Sequence, residues 1–427
     1  MTPDEKYTII SRVGPAAAAL SGVYGDDQLD TYKLTKNLFG RFKTVAPSTD
    51  PITFNMMTEV ETDFMSVRIA IPNLHTSAVA GVKVSVSVSS ENFVEDFATK
   101  VDSVNGSPWI DATFKGATSV SLPVALGTDR PSWTYTDIIP VQSVPTTSTT
   151  RTKPFLMVRI EYPANSTLTC PYNDIYFWRT IGVHPTLRVA QQNVLGVTTK
   201  SSFTQFITSD TNVVVPAFEY NTSVLGKQVV MCGDSTVAGQ GSQVRDFGAV
   251  QRACVKMSSK SSPIEYFNTA KLGLGPAEYS KGLIDVITEV APTDVFYSPY
   301  SVNDTDTGGL SALQVGRVYG YLGYVNSNID AHKTNLFLLE GLPCNPTFRD
   351  TGAGDSKRRD INVAISKYKF ATVVKDYAKV VSGNIDADGQ TLIKDGYDSG
   401  DGVHLTDAGY DSLSDQITPY FKPYNVA

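Results

Sequence analysis

Three side chains in this sequence stand in settings where serine, histidine and aspartate do nucleophilic chemistry. Ser235 lies in Gly233-Asp234-Ser235-Thr236-Val237-Ala238-Gly239, directly after the short apolar run Val229-Val230-Met231-Cys232 and ahead of a segment that can be helical. A strand-to-helix turn pushes the hydroxyl out beyond the sheet edge, near the first N–H groups of the helix. Those groups lack intrahelical partners and can hold a developing oxyanion. A serine hydroxyl is a poor nucleophile until a base takes its proton, and histidine is the usual base. Of His75, His184, His332 and His404, only His404 occupies a suitable stretch, Asp401-Gly402-Val403-His404-Leu405-Thr406-Asp407-Ala408-Gly409-Tyr410. Two residues separate the carboxylate from the imidazole. One tight turn can therefore aim Asp401 at the ring nitrogen facing away from the serine, fixing the tautomer and stabilising an imidazolium. The other three histidines are expected to be structural or exposed. The plain alternatives are a helix cap for Ser235 and a solvated turn for Asp401 and His404.

Two further stretches extend the pattern. Asn268-Thr269-Ala270-Lys271-Leu272-Gly273 follows a second apolar run, and Ser301-Val302-Asn303-Asp304 follows a third. With the Gly-Asp-Ser turn and the Asp401-to-His404 turn, and in this order, they resemble the four blocks of the SGNH hydrolases, also called GDSL esterases. The resemblance runs from about residue 226 to the end. It implies Ser235 as nucleophile, His404 as base and Asp401 as its orienter. It implies three oxyanion donors: the N–H of Ser235, the N–H of Gly273 and the side-chain amide of Asn303. Gly275 competes with Gly273 for the second block, and Ser301 stands where the family usually has glycine, so the backbone there is expected to differ. Asparagine is also a common turn residue, which is the plain alternative for Asn303. Asp234 is expected to brace the turn without entering the chemistry. The activity implied is hydrolysis of a carboxylic ester through an acyl-enzyme, with no cofactor required.

The elements that must position these residues follow from length and pattern. A chain of 427 residues is too long for one ordinary core, so two domains are expected. From about residue 53 to 216 the apolar period is two, clearest in Val82-Lys83-Val84-Ser85-Val86-Ser87-Val88 and Val158-Arg159-Ile160-Glu161-Tyr162. Val67-Arg68-Ile69, Val120-Ser121-Leu122 and 213–215 are shorter candidates, and 145–150 reads as a loop. Alternation predicts antiparallel sheets with one face buried and one wet, and hence a β-sandwich of jelly-roll type over 51–220. Beyond residue 220 short apolar strands, at 229–232, 264–268, 295–298 and 336–339, alternate with helical stretches at 277–290, 310–329, 361–377 and 407–421. That pattern predicts an α/β domain over 221–427, a parallel sheet flanked by helices, with ligands beyond the carboxyl ends of the strands. Ser235, Gly273 and Asn303 each come just after one of those strands. Residues 1–50 show little periodicity; a helix over 16–24 is the one candidate there.

The formal charge of −7 argues against a basic nucleic-acid-binding surface. No apolar run is long enough to span a membrane. The start, Met1-Thr2-Pro3-Asp4-Glu5-Lys6, lacks the basic-then-apolar layout of a secretion leader, so a leaderless protein is expected. Cys170, Cys232, Cys254 and Cys344 lack metal-ligand spacing and are expected to be reduced core residues. Asn384-Ile385-Asp386-Ala387-Asp388-Gly389, with Asp395 further on, matches the ligand spacing of a calcium loop; the alternative is a polar turn. Trp109, Trp133 and Trp178 all fall in the β-rich part, where exposed rings could stack on sugars and buried ones would be core.

A hydrolase of the implied kind joined to a β-sandwich resembles carbohydrate esterases that remove O-acetyl groups from polysaccharides. Without a leader it also resembles the tail-spike esterases of bacteriophages, virion components that often form trimers. The expected substrate is thus an acetylated surface polysaccharide. The alternatives are a lipase or general carboxylesterase, and a glycan-binding adhesin or structural virion protein whose hydrolase domain is idle.

Overall fold

The computed structural model describes residues 32–47, 49–89, 109–145, 152–172, 187–192, 204–205, 213–243, 247–303, 312–330, 334–345 and 353–421. The expected helix at 16–24, the loop over 146–150, and Trp178, His184 and His332 lie outside them. The chain divides into two compact units, one of residues 1–37, 42–226 and 258–265, the other of 38–41, 227–257 and 266–427.

The first unit is built on antiparallel sheets. One has the order β1 (Tyr32–Lys36), β13 (Ala217–Thr222), β4 (Ser66–Asn73), β8 (Ser132–Tyr135). A larger one runs β12 (Thr204–Gln205), β11 (Leu187–Gln192), β3 (Ile52–Glu59), β9 (Phe155–Tyr162), β5 (Val79–Ser89), β6 (Ile110–Asp111), with β7 (Val120–Leu122) also pairing β5. Strands β2 (Phe42–Val45) and β10 (Leu168–Pro171) form a separate pair. β-Branched residues dominate β5, as a pleated, half-buried surface favours.

Two expectations need correction. The predicted wet face is absent from the central strands: β3 and β13 are buried along their whole length. Among the polar alternates, Asn55 is buried with its Oδ1 accepting from Arg159 Nε at 2.9 Å. Residues 213–215 are buried but belong to no strand. Pro216 follows them and has no N–H to give a ladder, and β13 begins only at Ala217. The Arg159 guanidinium carbon lies over Trp109, 4.1 Å from the ring centroid, and Trp133 packs edge-on against Phe42 at 5.7 Å. His75 serves a local turn, its Nδ1 accepting from the Ser77 N–H at 3.0 Å.

A charged cluster is buried in this unit. Tyr220 donates to Glu265 Oε1 at 3.0 Å, the Glu61 N–H reaches the same oxygen at 3.3 Å, and Lys153 pairs with Glu61. Burial, opposed by the Lys36 charge and reinforced by Glu61, pushes the Glu265 carboxyl from an ordinary 4.5 up to about 7. A raised carboxyl pKa favours the folded state where the group is protonated. That stabilisation is complete below 4.5 and disappears as pH rises through about 7. Urea midpoints measured from pH 4.5 to 7.5 should therefore decline more steeply for wild type than for Glu265→Gln; parallel slopes would contradict this reading.

The second unit holds most of a five-stranded sheet in the order β15 (Ile264–Asn268, of which 266–268 belong to this unit), β14 (Lys227–Cys232), β16 (Asp294–Tyr297), β17 (Asn335–Leu338), β18 (Thr372–Val373). The pairs from β14 to β18 are parallel. Its helices are α1 (Ser235–Ala238), α2 (Ala249–Met257), α3 (Pro276–Val290), α4 (Ala312–Asp330), α5 (Ala353–Ser366) and α6 (Asp407–Ile417). The order sets β14 between β15 and β16, so the chain leaves β14 at the point where connections turn in opposite directions. A crevice beyond the carboxyl ends of the strands is expected there. α5 begins earlier than the predicted 361 and stops at Ser366, and the following residues are turns. Phe370 is exposed, so no apolar face continues, and the β-branched Thr372-Val373 enters the sheet instead. No helix among the described residues is long and apolar enough to cross a membrane.

Candidate active site

The turn that carries Ser235 is built by capping. β14 ends at Cys232 and α1 starts at Ser235, with Asp234 as the N-cap in extended conformation. Asp234 Oδ1 accepts from the Thr236 N–H at 2.9 Å and from the Thr236 hydroxyl at 2.7 Å, satisfying one of the open donors of the helix. Asp234 thus braces the turn, and Ser235 is nearly buried beside it. The preceding thiol offers no rival nucleophile, because burial pushes Cys232 up to about 12. All four cysteines are buried.

The histidine comes from the other end of the unit. α6 is tied to the region after α1 by Ser242, whose hydroxyl donates to Asp407 Oδ1 at 2.6 Å, and by Arg252, which pairs with Asp407 and with Asp411 at 2.9 Å. Just before α6, Asp398 Oδ1 accepts from the N–H groups of Gly400 and Gly402, closing the loop that carries Asp401. Asp401 Oδ1 then accepts from the N–H groups of Val403 at 3.0 Å and His404 at 2.8 Å, and its Oδ2 lies 2.6 Å from His404 Nδ1. On the far side of the ring, His404 Nε2 lies 2.7 Å from Ser235 Oγ. Ser235, His404 and Asp401 are therefore brought together as one hydrogen-bonded series, across 169 residues of sequence between serine and histidine. Burial works against the Asp401 charge, but the His404 ring and the two backbone N–H groups outweigh it and hold the carboxyl below its usual range.

Block two is organised by Asn268, whose Oδ1 accepts from the Ala270 N–H at 2.8 Å. The Thr269 and Lys271 N–H groups donate to Met231 O at 2.9 Å and Gly233 O at 2.8 Å, so this stretch runs beside the turn that carries Ser235. Leu274 N–H closes a turn onto Lys271 O, and Gly273 occupies its third position at φ +72°, where a side chain is strained. Gly275 is instead the extended N-cap of α3. The N–H groups that reach the turn carrying Ser235 are those of Thr269 and Lys271, with Gly273 two residues further on. Asn303, six residues after β16, is linked through the Ser301 hydroxyl to Asp234 at the turn that carries Ser235.

Sequence reading missed a second support. Leu38–Arg41, four residues from before the β-rich stretch, belong to this unit. Asn268 Nδ2 donates to Leu38 O at 3.0 Å, Lys271 Nζ donates to Gly40 O at 2.7 Å, and Arg41 donates to Leu272 O. A Cβ on Gly40 would lie 2.1 Å from Ala270 O, a backbone atom that cannot step aside. Gly40→Ala is therefore expected to shift the Ala270–Gly273 backbone and lower kcat/KM by roughly 100-fold, the cost of a misplacement near 1 Å. Ester turnover per titrated active site measures this; wild-type kinetics would exclude a role for the contact. Only the bare Gly40-Arg41 pair marks it in the sequence, and nothing local points to a partner 230 residues away.

The calcium-loop residues are arranged differently. Asn384 and Asp386 sit at the end of β19 (Ser382–Ile385), which pairs antiparallel with β20 (Thr391–Ile393), so strands and not helices flank the turn. Asp386 Oδ1 accepts from the Asp388 N–H at 3.0 Å and the Gln390 N–H at 2.8 Å and so braces the hairpin. Asp386, Asp388 and Asp395 form no group that could hold a metal ion, and no such group occurs among the described residues.

No protein-family model and no curated protein matches the chain. Among solved structures it is similar to the lipase/acylhydrolase from Enterococcus faecalis, 16% identical, with TM-score 0.36 over 46% of this chain and 98% of that one. It is also similar to a GDSL-like lipase from Bacteroides thetaiotaomicron, 19% identical, with TM-score 0.35 over 45% and 87% of the two chains. A carbohydrate esterase family 2 enzyme plus carbohydrate-binding domain from Corynascus thermopiles (Myceliophthora fergusii) is 13% identical, with TM-score 0.35 over 91% and 98%. At identities and TM-scores this low, the likenesses decide neither the family nor the activity of this chain.

Proposed function

We propose that this protein is a serine esterase that removes O-acetyl groups from a polysaccharide. The observation that carries the esterase reading is the series Ser235 Oγ, His404 Nε2 at 2.7 Å, His404 Nδ1, Asp401 Oδ2 at 2.6 Å. In the proposed mechanism the Ser235 proton moves to His404 Nε2 as Oγ attacks the ester carbonyl carbon. The carbonyl oxygen takes the negative charge and is held by the N–H of Ser235, the N–H of Gly273 and the amide of Asn303. Collapse breaks the bond to the leaving alcohol, which receives the proton from His404. Water, deprotonated by the same ring, then attacks the acyl-enzyme and releases acetic acid and free Ser235. Asp401 holds the tautomer that makes Nε2 the acceptor.

The carbohydrate part of the reading is supported by the union of the four catalytic blocks with a β-rich unit, the combination that resembles carbohydrate esterases. The test is acetate release from an acetylated polysaccharide by wild type and by Ser235→Ala. Release by wild type alone supports the reading. Turnover confined to long-chain nitrophenyl esters, with no acetate from any acetylated glycan, would replace it with a lipase.

A further inference from the structure

We propose that Ser301 is a positioning residue of the oxyanion hole, acting through the Asn303 amide; the inference rests on the acyl-transfer reading above. Ser301 is buried just beyond β16, and four polar atoms surround its hydroxyl. Asp234 Oδ2 lies at 2.9 Å, Leu274 O at 3.1 Å, the Asn303 backbone N at 3.1 Å and Asn303 Nδ2 at 3.2 Å. A hydroxyl has one proton and two lone pairs. The carboxylate is the stronger acceptor and the closer one, so the proton goes to Asp234. The other carboxylate oxygen of Asp234 is already taken by Thr236, which leaves Oδ2 turned to Ser301. With its proton committed, Ser301 Oγ presents lone pairs to Asn303 and accepts from both its backbone N–H and its side-chain NH2.

This fixes which way round the Asn303 amide lies. Its NH2 end is held on the Ser301 side, with the second N–H left for a substrate oxygen, and its carbonyl end is turned away. Glycine at position 301 offers no acceptor there. The amide could then rotate and set a carbonyl oxygen against the oxyanion, replacing attraction by repulsion. Through its proton the same hydroxyl is also tied to the segment that carries a second donor, since Asp234 caps the helix opened by Ser235. One buried oxygen thus joins the Asn303 amide to the turn that carries Ser235.

The test is a double-mutant cycle of wild type, Ser301→Ala, Asn303→Ala and the double variant. Each is assayed with nitrophenyl acetate, and rates are expressed per active site titrated with a serine-directed phosphonate, so that unfolded protein is not counted. Asn303→Ala is expected to lower kcat by about 100- to 1000-fold, the loss seen on removing one oxyanion donor. Ser301→Ala is expected to lower kcat by roughly 10- to 100-fold with KM and the acid limb of the pH profile unchanged. In the Asn303→Ala background the same change should cost less than about twofold, because the group it acts through is gone. Ser301→Thr, which keeps the acceptor, should recover part of the rate. Fully additive losses, or wild-type turnover in Ser301→Ala, would overturn the inference while leaving the catalytic reading intact. Wild-type turnover in Asn303→Ala would remove the amide from the hole and the inference with it, whereas no turnover in the wild type would overturn the reading beneath.

Discussion

Replacing Ser235 by alanine is expected to lower kcat on nitrophenyl acetate by about 10⁴- to 10⁶-fold, the range for loss of a serine nucleophile. The bond to the acyl carbon is made by Oγ alone, and Cys232 is no substitute, being a buried thiol on the preceding strand. His404→Ala should cost about as much, since a hydroxyl without a base at 2.7 Å is not deprotonated near neutral pH. The pair acts as one unit, so the double variant should be no slower than either single one. Steady-state kinetics on purified variants decide this. A Ser235→Ala protein with a substantial fraction of wild-type turnover would remove the residue from the mechanism.

Asp401→Asn should produce the next largest loss after those two, about 10³- to 10⁴-fold in kcat with KM little changed. The substitution isolates one contact. Asparagine keeps Oδ1 as the acceptor for the Val403 and His404 N–H groups, so the turn survives. Its NH2 replaces the oxygen that faced Nδ1 and donates to the ring, favouring the tautomer with its proton on Nε2, where it cannot take another from serine. The Asp401 side chain is 49% exposed, so water can partly replace the carboxylate, which sets the loss below that for Ser235. The same contacts predict a pH effect. Because the folded carboxyl titrates below its ordinary 3.8, the stability it contributes is present above 3.8 and is lost only as pH falls through the lower folded value. Asp401→Asn should therefore flatten the acid side of the stability profile, in thermal melts taken below pH 4.

The parts of the fold that local pattern controls were legible. The run Ile264–Asn268 is a strand with the predicted bounds because five buried positions end at an asparagine that turns the chain. α3 starts at Pro276 behind Gly275, a position where a missing N–H costs nothing. The hydrogen bond between Ser235 and His404 was legible because each stands in a short stretch of its own, one just after a strand and one just before a helix. What stayed hidden depends on distant partners. The alternation in the β-rich part correctly marks strands, but it cannot tell that Asn55 is buried against Arg159 and not wet. The contact of Leu38–Arg41 with Asn268 and Lys271 has no local signature at all. Ser301 was visible only as a departure from glycine, and its hydrogen bonds give that departure a use. The acidic spacing at 384–395 fits a calcium loop on paper, yet spacing alone cannot distinguish a loop between helices from the turn of a hairpin.

The most direct measurement of the central claim needs no knowledge of the substrate. Wild type, Ser235→Ala and His404→Ala are treated with a serine-directed phosphonate, digested, and mapped by mass spectrometry. Wild type should carry one adduct, on the peptide containing Ser235; Ser235→Ala should carry none, and His404→Ala should label far more slowly. An adduct on another residue, or ester turnover that survives complete labelling of Ser235, would contradict the account.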